Sequence, residues 1–185
     1  MKNRQYIIEI RVHPLVSRWL KNNYPCEDSV FDLLDSFDFA ITGMLVQSNV
    51  IMPSRVGKNF ETFTPIKLYI SEFDFSHYGY QVSELQQCRF SRFLYSFILE
   101  RACWEILYRH IYIGVPKEVA IRNWLAANVC SDSELTYDNL RKYYQRKFQN
   151  IEKKQKEATA IFVKNVQKRY KIDTKICVQI VPDPK

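Results

Sequence analysis

SELQQCRFSRFLYSFILERACWEILYRHIY, the stretch Ser83–Tyr112, is the longest helical pattern in the first two-thirds of the chain. Ser83 and Gln86 stand in capping-box spacing, so the hydroxyl and the amide side chain can each satisfy a free backbone N–H. Leu85, Leu94, Phe97, Ile98, Trp104, Leu107, Tyr108 and Ile111 recur at helical spacing. Gly114 suits the C-terminal stop. The apolar face is wide, which places this helix at the centre of a core with Trp104 and Tyr108 turned inward.

Working outward, Tyr6–Val12 alternates as a strand, with Tyr6, Ile8, Ile10 and Val12 on one face. Pro14 then fits the first turn of a helix through Leu15, Val16, Trp19 and Leu20. Asp28 or Ser29 caps a short helix through Phe31, Leu34 and Phe37. Residues 39–52 fit strand or helix, and 53–65 read as a loop. Ile66, Leu68 and Ile70 alternate in a second strand. Past the central helix, Pro116 opens a helix with Val119, Ala120, Trp124, Leu125 and Ala127 inward. Thr136 caps a helix whose apolar positions are Leu140, Tyr144, Phe148, Ile151, Ala158, Phe162, Val166 and Tyr170. From Tyr137 to Tyr170 that helix measures about 50 Å. Asp173–Val181 reads as a last strand that can pair with Tyr6–Val12. The expected fold is therefore α+β and helix-rich, a few-stranded sheet packed with long helices. The expected division is a scaffold or dimerisation body (1–115), a basic helical unit (116–171) and a returning strand (172–185).

With 46% hydrophobic and 25% charged residues in 185, the chain has material for a core and lacks the composition of a disordered segment. Its five cysteines, Cys26, Cys88, Cys103, Cys130 and Cys177, are odd in number and include no closely spaced pair. That suits neither a disulfide framework nor a zinc site and points to a reducing, intracellular and cytoplasmic setting. The apolar run Tyr6–Ile10 is broken by Glu9 and too short for a signal peptide. No uncharged stretch reaches the ~20 residues that span a bilayer.

Charge is segregated. Residues 141–171 carry eleven Lys or Arg against Glu152 and Glu157, whereas the 115 residues before Pro116 hold twelve basic and twelve acidic side chains. A positive potential concentrated on one element is a device for capturing a polyanion.

Pro116–Phe148 reads as helix, polar turn, helix, the second starting Thr136, Tyr137, Asp138, Asn139, Leu140, Arg141. This outline resembles the helix-turn-helix modules of transcription regulators and of phage or mobile-element DNA-binding proteins. The turn spans about seven residues rather than three or four and lacks glycine; residues 132–135 can add one helical turn. The resemblance implies a recognition helix. On it Asn139 and Gln145 would serve adenine, Arg141 and Arg146 would fork onto guanine, and Lys142, Lys147, Lys153 and Lys154 would meet phosphates.

Other chemistry is thinly supported. His13, His77 and His110 lack a metal-pair neighbour at i+3 or i+4. Glu72 and Asp74 follow a strand as surface acids commonly do. No phosphate loop and no nucleophile elbow occur. Tyr78, Tyr80, Phe90, Phe93 and Tyr95 read as interior packing rather than base stacking. The expectation is a non-enzymatic nucleic-acid-binding protein, with double-stranded DNA favoured. It needs no cofactor or metal, does not bind membranes, and a homodimer is compatible with its body. The alternative is an assembly module pairing through Ile151, Phe162 and Val166.

Overall fold

Alternation and pairing register agree at the N-terminus. In the computed structural model, which describes residues 6–24, 26–27, 30–48, 60–128 and 135–170, strand β1 (Tyr6–Val12) runs antiparallel to β4 (Thr64–Ile70). Ile8 faces Leu68 and Ile10 faces Ile66 across the ladder, so both apolar sets share one side and are buried. That agreement fixes the register, because a slip of one residue would turn each set to water. Two short strands, β2 (Cys26–Glu27) and β3 (Val30–Phe31), complete a four-stranded sheet of order β1-β4-β3-β2. β3 pairs parallel with β4 at Lys67 and Leu68.

Helix α1 (Pro14–Asn23) begins at its proline, and the His13 ring Nδ1 accepts the Leu15 N–H at 3.2 Å. Leu15, Val16, Trp19 and Leu20 are buried as the periodicity requires. The sequence reading erred at Phe31: it belongs to β3, not to a helix, because pairing with β4 overrides the local helical spacing. The cap proposed at Asp28 or Ser29 lies outside the described residues. Helix α2 (Leu34–Ser48) starts later and is interrupted at Phe37, so the ambiguous stretch is helical as far as Ser48. A helix not foreseen, α3 (Glu72–Tyr78), follows β4. Ser71 caps it, and Gly79, at φ +75°, ends it in a conformation that costs a side-chain-bearing residue strain.

Helix α4 (Glu84–Tyr112) matches the central helix expected from Ser83. The Ser83 Oγ accepts the Gln86 N–H at 3.4 Å. Two α4 side chains also satisfy backbone donors of the β1 segment: Gln87 Oε1 accepts the Arg11 N–H at 2.7 Å and Ser91 Oγ the His13 N–H at 2.9 Å. Helices α5 (Lys117–Asn128) and α6 (Tyr137–Tyr170) follow. The fold is α+β with helices in the majority.

The chain forms two compact units, Met1–Glu100 with Asn128–Glu134 and Arg101–Ala127 with Leu135–Lys185. The first holds the sheet, α1 to α3 and the start of α4. The second holds the end of α4 with α5 and α6; the division thus falls inside α4, between Glu100 and Arg101. The strand proposed at Asp173–Val181, its pairing with β1 and the turn at 130–134 lie outside the described residues.

Candidate nucleic-acid interface

Helix α6 runs unbroken for 34 residues. The Thr136 Oγ1 accepts the Asn139 N–H at 3.2 Å, as its capping position predicts. Leu140, Tyr144 and Phe148 are buried and Ile151 is half-buried, so the first half of the helix is held by its apolar stripe. The stripe does not stay covered. Ala158 is exposed, Val166 half-buried and Phe162 68% exposed, although the sequence reading placed all three inward.

The eight residues singled out from the sequence all lie on this helix, and every one of them is exposed: Asn139, Arg141, Lys142, Gln145, Arg146, Lys147, Lys153 and Lys154. At about 100° of rotation per residue, they sort into three lines. Asn139, Lys142, Arg146 and Lys153 fall on the line opposite Leu140, Tyr144 and Phe148. Arg141 and Gln145 lie on one flank, Lys147 and Lys154 on the other. Arg141 and Arg146, both read as guanine forks, therefore point about 140° apart. Lys164 and Lys168 extend the outer line and are exposed. Glu157 interrupts that line. Among the described residues, no carboxylate comes within ion-pair distance of Arg141, Lys142, Arg146, Lys147, Lys153 or Lys154.

The opposite face explains why α6 folds down despite its charge. Glu152, 6% exposed, sits one turn beyond Phe148 and inside the apolar stripe. It accepts hydrogen bonds from the Tyr144 hydroxyl at 3.0 Å and from Lys156 Nζ at 2.8 Å. Lys117 Nζ lies 3.6 Å away, and His110 Nε2 3.4 Å. The other His110 nitrogen is 3.0 Å from the Val115 carbonyl. Burial pushes the Glu152 carboxyl up. The Lys156 and Tyr144 hydrogen bonds and the charges of Lys117 and Lys156 outweigh it, leaving the carboxyl below its ordinary value. Burial first, and then the neighbouring Glu152, hold the Tyr144 hydroxyl far above its own. One carboxylate thus ties together side chains of α4, α5 and α6. The sequence reading missed it; the signal was a lone acid in phase with Tyr144, Phe148 and Ile151.

The second unit is also the charged one. Its described residues carry fourteen Lys or Arg against five Asp or Glu, an excess above the chain's whole net +7. Two further differences from the sequence reading concern aromatic and apolar side chains. Trp104 is 46% and Tyr108 57% exposed, not interior. In α5 the inward face is Ala120, Ile121 and Trp124, while Val119 and Ala127 face water.

Asp74 is buried and accepts from Thr42 Oγ1 at 3.0 Å and Ser71 Oγ at 2.7 Å. Glu72, its neighbour, is exposed. His77 stacks on Phe73. An open cleft of about 280 Å³ is lined by α2 and α4 residues, chiefly Phe39, Met44, Phe90 and Phe93 with Gln86 and Arg89. Of the aromatics expected inside, Phe90 is buried and Tyr78 and Tyr95 half-buried, but Tyr80 and Phe93 are exposed. Among the described residues, no group of three or more His, Cys, Asp or Glu is placed to hold a metal ion. Among them, too, no helix is long and apolar enough to cross a membrane. Compared with protein-family models, curated proteins and solved structures, the chain finds no match in any of the three.

Proposed function

We propose that this protein binds nucleic acid through the outer face of α6, without catalysis, and that duplex DNA is the form gripped by its phosphates. The observation that carries the reading is the set of six exposed Arg and Lys side chains on α6 with no described carboxylate within ion-pair distance of them. Cations left unpaired on a rigid rod keep their full potential for phosphate oxygens. Glu152 supports the same reading, since its partners lie on the packed side, away from the outer line, where Glu157 is the one acid among the described residues. The helix-turn-helix resemblance, with a part in transcription regulation or a mobile element, is a finer proposal. It requires α5 and the start of α6 to dock together.

Fluorescence anisotropy with a labelled duplex tests the reading. If about six cations meet phosphates, log K against log salt falls with a slope of about −5. Replacing Lys142, Arg146 and Lys153 with Gln brings the slope to about −3. A slope near zero, or one that the triple variant leaves alone, overturns the assignment.

Assembly through the far half of α6 is the second reading. It is favoured by the exposure of Ile161 at 59%, Phe162 at 68% and Val163 at 42%. The two readings use different stretches of the helix, so they are separable by mutation.

A further inference from the structure

We propose that Trp104, Tyr108 and Tyr112 form a platform on α4 that stacks unpaired bases, so that the ligand includes a single-stranded segment. This rests on the nucleic-acid reading above and adds the form of the ligand and a second contact face.

Three observations converge. The residues are spaced i, i+4, i+8 on one helix and lie on one side of it. All three are open to water, Trp104 at 46%, Tyr108 at 57% and Tyr112 at 59%. They are also held rather than loose. The Trp104 ring meets Phe148 of α6 edge-on at 5.0 Å between centroids, and the Tyr112 hydroxyl donates to Gln155 Oε1 at 3.2 Å. Tyr108 and Tyr112 lie 5.4 Å apart with their planes 35° from parallel. The rings therefore flank the 148–155 stretch of α6, in whose sequence Lys153 and Lys154 fall.

Exposed aromatic rings on the unit that carries the cations suit a ligand that offers both flat π-faces and repeating negative charge. A single strand does so; a duplex closes its base faces against each other. Spacing gives the same answer. Four helical residues rise about 6 Å, well beyond the about 3.4 Å between successive nucleotides of a duplex strand. An unpaired, stretched strand can offer one base per ring. The surroundings contribute the attraction, because the described part of this unit carries fourteen basic against five acidic side chains.

Tryptophan fluorescence provides the test. Of the three tryptophans, Trp19 and Trp124 are buried, at 3% and 4% exposure, so quenching by an added ligand reports on Trp104. The full chain is titrated with single-stranded oligothymidylate of about twelve nucleotides, within the usual site size, and with the matching duplex. Anisotropy is followed in parallel. The single strand should quench the emission. Tyr108→Ala should weaken its binding by about five-fold to 150-fold, the range for loss of one stacked base. Tyr108→Phe, which keeps the ring, should restore it, and duplex affinity should stay unchanged in both variants. Tyr108 is more exposed than Trp104, so its removal spares the packing against Phe148; a circular dichroism melt checks this. Single-strand binding without quenching, or unaltered in Tyr108→Ala, overturns the platform while leaving the duplex reading in place. Quenching by phosphatidylserine vesicles but not by the oligonucleotide also overturns it, in favour of a membrane surface. If neither strand form binds, the nucleic-acid reading itself has failed.

Discussion

Replacing Glu152 with Gln removes one charge and almost no volume, at the point where three helices meet. The Tyr144 hydroxyl is fully buried and loses an ionised acceptor 3.0 Å away. Glutamine still offers an acceptor oxygen, so the loss is the difference between a hydrogen bond to a charged group and a neutral one, about 1–1.5 kcal/mol. The Lys156 side chain is 52% exposed and can return to water, so its loss costs only a few tenths of a kcal/mol. Lys117, at 28% exposure, is less free and contributes about 0.5–1 kcal/mol after discounting for solvent. Together these give about 2–3 kcal/mol, or a fall in melting temperature of about 5–10 °C for a chain of this length. Acidity supplies the second arm. The folded carboxyl lies below its ordinary value, so it binds a proton less readily than in the unfolded chain. Its contribution is complete above the ordinary carboxylate range and fades as pH falls through the lowered value. Thermal melts followed by circular dichroism at neutral and acid pH should show a wide gap between wild type and Glu152→Gln that narrows on acidification. Tyr144→Phe combined with Glu152→Gln should destabilise by less than the sum of the two. A variant that melts with the wild type at neutral pH, or a gap that acid leaves untouched, would refute the claim that this carboxylate clamps α6.

Two other perturbations read other parts of the molecule. Asp74→Ala leaves the half-buried Thr42 and Ser71 hydroxyls without their acceptor and should cost about 1–3 kcal/mol, seen as a lower urea midpoint with Asp74→Asn between it and wild type. Phe162→Ser touches a ring that is 68% exposed and should shift stability by no more than about 0.5 kcal/mol. Under the assembly reading it should also lower the apparent mass in sedimentation equilibrium, and identical profiles would remove that reading.

Much of the fold was legible because local chemistry and tertiary packing agreed. Alternation in Tyr6–Val12, the proline before Leu15, Ser83 before α4 and Thr136 before α6 each mark an element that formed within a residue or two of its expected start. Where they disagreed, packing won. Phe31 carries a helical spacing but pairs with Leu68 in the sheet. The short strands β2 and β3 are two residues each, too brief to show a period of their own.

The candidate interface divides the same way. Composition and spacing alone established that α6 is a long amphipathic helix bearing the chain's positive excess, since a period of 3.6 residues and a run of Lys and Arg are local properties of the chain. Which cations share a line followed from that period too. Tertiary structure alone decided that Glu152 lies among Tyr144, Lys117, Lys156 and His110, and that Trp104, Tyr108 and Phe162 face water. Burial depends on which elements pack against a face, and a residue's spacing along its own helix does not encode how far a neighbouring helix extends over it.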